Sequence, residues 1–220
     1  ADYVLEQVRG NDRGGVSFSI RHEGKRWVSL DLSLAGRHNA LNATAALIVA
    51  QLCNLDVGEA ARALEEFRGV LRRFELKGEA RGVVVVDDYA HHPTEVRATL
   101  AAARQRYPER ELWVVFQPHT YSRARALLAE FATCFQGADH VLITDIYAAR
   151  SREKPVISAP EFVAAIEHPD VRYLGTHEKV IDYLLATLSP GALLLTMGAG
   201  DGYLIGERVL QELKERTTSS

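Results

Sequence analysis

Two hydrophobic rhythms divide the chain. Up to residue 34, apolar and polar positions alternate with period two in YVLEQV, GVSFSI and WVSLDLSL, with a turn at His22-Glu23-Gly24-Lys25. Such alternation, broken by glycine-rich turns, predicts an antiparallel meander. The period then becomes helical over residues 38–52 and again over 57–67, where Asp56 is placed to cap the second helix and Arg68-Gly69 to end it. Three strands and two helices make a thin set to enclose a core of their own. They predict the trailing edge of a larger domain.

After Leu76-Lys77-Gly78 the texture changes. Short continuous apolar runs, VVVVDDY, ELWVVFQP, HVLITDIY, VRYLG and ALLLTMGAG, alternate with helical patterns over residues 93–107, 121–136, 159–166, 178–188 and 203–214, with a loop at residues 150–155. Apolar strands each followed by a helix predict a parallel sheet covered on both faces. The fold class expected is therefore α/β: a doubly wound, mostly parallel, Rossmann-like sheet over residues 77–215. It is preceded by a partial antiparallel-strand and helix segment over residues 1–76 and followed by a disordered tail at 216–220.

In doubly wound sheets ligands lie beyond the carboxyl ends of the strands. The polar clusters of this chain fall at four such ends: Asp87-Asp88-Tyr89-Ala90-His91-His92, Gln117-Pro118-His119, Asp145-Ile146-Tyr147 and Gly198-Ala199-Gly200-Asp201. Packing has no use for such a rim. Loops gathered along it can bring Asp88, His91, His119 and Arg123 to one substrate.

Composition narrows the classes. The 220 residues are 47% hydrophobic, enough for a real core, and 26 basic against 29 acidic residues leave a net charge of −3 with no long single-sign block. Neither a nucleic-acid nor a membrane partner is indicated, and no stretch approaches the ~20 apolar residues of a membrane span. Cys53 and Cys134, far apart in apolar stretches, read as buried free thiols of a reducing cytosol. The single methionine is Met197, so the expectation is a piece of a longer chain, with N-terminal processing as the alternative.

The candidate chemistry is anionic. Paired carboxylates at a strand end can orient a ribose, hold hydrated Mg²⁺ or position an amine, although one of Asp87 and Asp88 could instead cap the next helix. His91 and His92 are adjacent and point different ways, so at most one belongs to a site, as donor or base. Pro93 suits a first helical turn. Arg72 and Arg73, ahead of the sheet, can match phosphate oxygens bidentately or form a solvated salt bridge. Arg123 and Arg125 begin a helix whose N-terminus favours anions. With no H-x-x-x-H or C-x-x-C pair, no zinc site is expected. GAGDG is a weak ligand-loop signal, and no G-x-x-x-x-G-K-[ST] phosphate loop occurs.

Taken in order, GRHNALNATAA, FRGVLRRFE, DDYAHHPTE, VFQPHTYSR, DIYAAR and MGAGD resemble motifs of the Mur ligases, over residues 36–201. Within that family the resemblance is nearest to members that join L-alanine to the carboxylate of UDP-N-acetylmuramate in peptidoglycan synthesis. It implies that residues 1–76 end a central ATP-binding domain and residues 77–215 form the C-terminal ligase domain, with the P-loop half outside the chain. It implies an ATP-dependent amide ligation through an acyl phosphate in the bacterial cytoplasm. It further implies Mg²⁺ held mostly outside this segment, and no turnover by the segment alone.

By position, His38, Asn39 and Asn42 would contact adenine, Arg73 with Arg72 the phosphates, and Asp88 would help fix the nucleotide. Tyr89, His91, His119 and Arg123 would line the pocket for alanine and the acyl group, with Arg123 on the amino-acid carboxylate. Thr120 stands where some members carry Arg, which places more of that task on Arg123. Alternatives are a ligase that recycles a ready-made murein peptide onto the same sugar nucleotide, and a non-catalytic nucleotide-binding or interaction module.

Overall fold

A computed structural model describes residues 2–149 and 154–218. The chain divides into two compact units, residues 1–69 with 101–108, and residues 70–100 with 109–220.

In the first unit the alternating segments form β1 (Tyr3–Gly10), β2 (Val16–His22) and β3 (Lys25–Leu32), an antiparallel sheet in the order β1-β2-β3. They are followed by α1 (Arg37–Leu52) and α2 (Val57–Glu66). Asp56 caps α2 as expected, its carboxylate accepting the N–H of Glu59 at 2.7 Å. Contrary to the expectation of a segment too thin for a core, Val16, Phe18 and Ile20 of β2, Leu30 and Leu32 of β3, and Ala40, Ala43 and Leu47 of α1 form one buried cluster. Three alternate positions of β2 point at a single helix, and small alanines let that helix lie close. Cys53 also departs from expectation. It is an exposed free thiol at the C-cap of α1, beyond the buried stripe, whereas Cys134 is buried.

The second unit is the expected doubly wound α/β sheet. Its elements are β4 (Glu75–Ala80), β5 (Val83–Asp88), α3 (Pro93–Arg106, whose residues from 101 onward belong to the first unit), β6 (Leu112–Phe116), α4 (Tyr121–Ala126), α5 (Leu128–Ala132), β7 (His140–Thr144), α6 (Ala159–Ala164), β8 (Val171–Gly175), α7 (His177–Thr187), β9 (Leu193–Met197) and α8 (Tyr203–Thr218). The strand order is β4-β5-β9-β6-β7-β8, parallel except for the β4–β5 pair. Along β5, Val83 and Val85 belong to a cluster with Val180, Leu184, Ile205 and Val209 of α7 and α8. Val84 and Val86 are equally buried and point to the other face. There the rings of Phe116, Phe131, Phe135 and Phe162 meet at centroid distances of 5.1–6.3 Å.

Three elements differ from the sequence reading. Strand β4, ELKGEA, is absent from it because three of its six residues are charged and a glycine bulge interrupts the alternation at Leu76/Gly78. That is how an edge strand discourages further pairing. A two-residue turn with positive φ at Arg81 (50°) and Gly82 (77°) joins it to β5. The single helix expected over 121–136 is two short ones, because Leu127 (φ −107°) leaves helical geometry and β-branched Thr133 ends the second. Helix α8 runs through Thr218, past the start of the expected tail. Ser219 and Ser220, and the loop residues 150–153 with Arg150 of DIYAAR, lie outside the described residues.

Candidate functional site

Strand β9 inserts between β5 and β6, so the loops that follow β5, β9 and β6 lie side by side at the carboxyl rim of the second unit, with the loop after β7 next in line. The rim is built in two layers, an inner frame of buried polar contacts and an outer row of rings.

The frame starts at the two aspartates. Asp87 is 1% exposed, and its carboxylate accepts Nε–H of Arg72 at 3.0 Å and the Thr196 hydroxyl at 2.7 Å. Burial raises its pKa, with Thr196 and Arg72 acting against the rise. Asp88 accepts two backbone N–H groups, from Ala90 and Phe74, both at 2.7 Å. Burial pushes its pKa up to about 6, against the pull of those N–H groups and of Arg73. Both oxygens of Asp88 therefore staple the loop after β5 to the segment before β4. Asp87 caps no helix and is not solvated; it is the anchor for Arg72.

Arg72 is fully engaged. Besides Asp87, it donates through Nη2 to the Gly198 carbonyl at 2.7 Å and through Nη1 to the Gly200 carbonyl at 3.0 Å. Its guanidinium carbon lies 5.1 Å from the Tyr89 ring centroid and 4.6 Å from that of Tyr203. The glycine loop after β9 is thus fastened to the segment before β4 by one side chain. Arg73 points elsewhere: it is exposed, its guanidinium lies 5.3 Å from the Tyr89 centroid, and it makes no side-chain hydrogen bond or ion pair among the described residues. Of the arginine pair, Arg72 is a strut and Arg73 has donors to offer.

The outer row runs from β5 to β7. Ring centroids step from Tyr89 to His91 (5.3 Å), from His91 to His119 (5.7 Å) and from His119 to Tyr147 (5.8 Å). Arg123 joins it through Nη1, which donates to Nδ1 of His119 at 3.2 Å. His119 pairs with Tyr147 as a parallel bridge, and the N–H of Thr120 donates to the Tyr147 carbonyl at 2.9 Å. Thr120 has φ 61° and ψ 142°, a conformation that costs a non-glycine residue on the order of 1–3 kcal/mol. Its hydroxyl caps α4 by accepting the N–H of Arg123, so the strained residue aims both His119 and Arg123. Burial, then the charge of Arg123 and then His91, lower the pKa of His119.

The two adjacent histidines part as expected. His91 joins the row, while His92 turns to the start of α3, where its Nδ1 accepts the N–H of Thr94 at 3.2 Å. Glu95 accepts the N–H groups of His91 and His92 at 2.9 and 3.2 Å, and its carboxylate lies 3.4 Å from Nδ1 of His91. The sequence reading passed over Glu95; its signal was an acid three residues after the cap position of a proline-opened helix.

Also unassigned there were Asp201 and His177 as contacts of Gln117. The Gln117 amide is 4% exposed, donates to Asp201 at 2.7 Å and accepts the N–H of Gly202 at 3.0 Å, while Nε2 of His177 lies 3.4 Å from the Asp201 carboxylate. Gly200 leaves room for this contact. A Cβ there would meet Oε1 of Gln117 at 2.2 Å and the Tyr147 ring at 2.7 Å.

His38, Asn39 and Asn42 belong to the first unit, in the opening turns of α1. Asn39 donates to the Ala35 carbonyl at 2.7 Å, and Asn42 is exposed. Among the described residues no group of three or more His, Cys, Asp or Glu side chains could hold a metal ion. Nor is any described helix long and apolar enough to cross a membrane.

The profile described as Mur ligase, glutamate ligase domain, matches residues 72–200. The chain is 42% identical over 217 residues to the UDP-N-acetylmuramate–L-alanine ligase of Caldanaerobacter subterraneus subsp. tengcongensis, a match covering 98% of this chain and 47% of that protein. It is 47% identical over 189 residues to the ligase of the same name from Roseiflexus castenholzii, covering 86% and 40%. The crystal structure of the UDP-N-acetylmuramate–alanine ligase of Thermotoga maritima has a TM-score of 0.78 and 27% identity, covering 100% of this chain and 46% of that one. The chain spans about half the length of the curated relatives it matches.

Proposed function

The chain belongs to the Mur ligase family, and on that premise we propose that it is the acceptor-binding part of an ATP-dependent ligase joining L-alanine to the carboxylate of UDP-N-acetylmuramate. The observation that carries this reading is the row Tyr89, His91, His119 and Arg123, four side chains from two loops and a helix within contact of one another.

The reaction has two charge problems. The muramyl carboxylate attacks the γ-phosphorus of ATP to give an acyl phosphate, and the alanine amine then displaces phosphate through a tetrahedral intermediate. Arg123 commits one N–H to His119 and retains a planar fork for the alanine carboxylate. Arg73, with donors unspent, is assigned to the phosphates, and Arg72 to holding the glycine loop in place. Asp88 acts on the nucleotide through the loop it staples. His38, Asn39 and Asn42 are assigned to adenine. Mg²⁺ would neutralise charge on the transferring phosphoryl group; the reading names no ligand for it among the described residues. It also places the protein in the bacterial cytoplasm, and holds that these 220 residues, which carry no phosphate loop, release no phosphate by themselves.

The test is a coupled phosphate-release assay on the complete product of the reading frame encoding this chain, with ATP, UDP-N-acetylmuramate and either L-alanine or a murein tripeptide. Turnover with L-alanine supports the reading. Preference for the tripeptide replaces it with the recycling ligase, and no ATP-dependent ligation with either acceptor overturns it.

A further inference from the structure

His91 and His119 lie edge to face with ring centroids 5.7 Å apart, yet their Nδ1 atoms face opposite chemistry. An imidazole nitrogen facing a guanidinium can only accept, because arginine has no lone pair to offer. One facing a carbonyl can only donate. Nη1 of Arg123 donates to Nδ1 of His119 at 3.2 Å, so that nitrogen is bare and the neutral ring carries its proton on Nε2. Nδ1 of His91 lies 2.9 Å from the Tyr89 carbonyl and 3.4 Å from the Glu95 carboxylate, so it carries the proton and leaves the lone pair on Nε2. Neither Nε2 has a hydrogen-bond partner among the described residues.

We propose that the two neighbouring histidines are held as opposite neutral tautomers, His91 offering a basic Nε2 and His119 a donor Nε2–H, so that proton removal and oxyanion stabilisation are divided between them. This rests on the amide-ligation reading for its substrates, but the tautomers themselves follow from contacts within the rim. When the amine nitrogen forms its bond to the acyl carbon, the carbon–oxygen bond to phosphate breaks and the electron pair leaves with phosphate. The proton that nitrogen must shed passes to Nε2 of His91. The imidazolium so formed already points Nδ1–H at the Tyr89 carbonyl and at Glu95, whose pKa is lowered on balance: burial raises it, and the backbone N–H groups of His91 and His92, with positive charge on His91 and on Arg73, outweigh that. His119 gives up no proton. Its Nε2–H hydrogen-bonds the oxygen on which charge develops, and burial together with the Arg123 charge disfavours its cationic form. The charged or titratable groups around the pair are Arg73, Tyr89, Glu95, Arg123 and Tyr147.

Side-chain ¹⁵N spectra of the histidine-labelled 220-residue chain at pH 7.5, assigned with His91→Gln and His119→Gln, read the tautomers with no substrate present. The expected spectrum shows an unprotonated Nδ1 and protonated Nε2 for His119, and the reverse for His91. The same tautomer in both rings, or a doubly protonated ring in either, overturns the proposal. Arg123→Met is expected to release His119 into a mixture of tautomers, and an unchanged His119 spectrum overturns the role given to Arg123. In the complete protein, His91→Gln is expected to lower kcat by about 10²–10⁴-fold and abolish the acid limb of its pH profile. His119→Gln is expected to lower it by about 10²–10³-fold with the limb in place. An acid limb that survives His91→Gln contradicts the division of roles. A complete protein with no ligation at all contradicts the functional reading and leaves the spectra to judge the tautomers.

Discussion

Arg72 and Asp87 form an ion pair at 3.0 Å in which the carboxylate is 1% exposed and the guanidinium bonds both to β5 and to the glycine loop after β9. Removing one member of such a pair leaves an uncompensated buried charge, which costs about 3–5 kcal/mol. Arg72→Ala is therefore expected to destabilise the chain by about 3 kcal/mol in urea unfolding. Adding Asp87→Asn should recover part of that loss, with a coupling energy of about 1 kcal/mol or more in the double-mutant cycle. Simple additivity would show that the pair does not act as a unit.

Arg73 gives the opposite expectation. Exposed and without a side-chain hydrogen bond or ion pair among the described residues, it should tolerate Arg73→Ala with a stability change within about 0.5 kcal/mol. The same substitution in the complete protein should raise KM for ATP or lower kcat by about 10-fold or more, since a charge-assisted hydrogen bond contributes about 1.5–3 kcal/mol. Loss of stability without loss of turnover would exchange the roles of the two arginines.

At the opposite, amino-terminal rim of the sheet, His140 is placed between Asp170 at 2.5 Å and Glu111 at 2.9 Å and stacks on Trp113 at 3.8 Å. Burial lowers its pKa, but the two carboxylates outweigh burial and hold it above its ordinary value, while both carboxylates are held below theirs. The sign follows from linkage. The His140 contribution is complete below its unfolded pKa of about 6.5 and is lost as pH rises through the higher folded value. The carboxylate contributions are present above about 4 and are lost as pH falls through the lower folded values. Urea midpoints should therefore decline above about pH 6.5 in the unsubstituted chain, and His140→Gln should flatten that upper limb. A limb of equal depth in the variant would place its origin elsewhere.

In the first unit, Leu47 is fully buried and Leu52 is 76% exposed on the same helix. Leu47→Ala should cost about 2–5 kcal/mol and Leu52→Ala within about 0.5 kcal/mol. Equal effects would mean that the β2–β3–α1 cluster contributes no core.

The parallel strands and the polar rim were legible because a βαβ sheet buries both faces, which writes each strand as an unbroken apolar run and pushes every polar residue to its ends. That rule put His91, His119 and Arg123 on one rim; Tyr89 joined them only through the family resemblance, and Tyr147 was marked only as part of a strand-end cluster. Strand β4 was illegible for the same reason: an edge strand rich in charge has no apolar run to read. The split of Arg72 from Arg73 could not be read either, since both lie in LRRFE and the sequence does not mark that Arg72, at φ 60°, meets Asp87 while Arg73 stays exposed. Nor could Asp88 be told from a ligand carboxylate, because its two oxygens are satisfied by backbone N–H groups, which leave no mark in sequence. The pairing of Gln117 with Asp201 spans 84 residues and exists only because β9 returns to lie beside β6.

The most direct measurement is the KM for L-alanine of the complete protein with and without Arg123→Ala, at saturating ATP and UDP-N-acetylmuramate. An increase of about 10- to 100-fold, with folding unchanged by circular dichroism, is expected if the guanidinium beside His119 holds the amino-acid carboxylate. An unchanged KM in a fully folded variant would mean that the acceptor binds somewhere other than this rim.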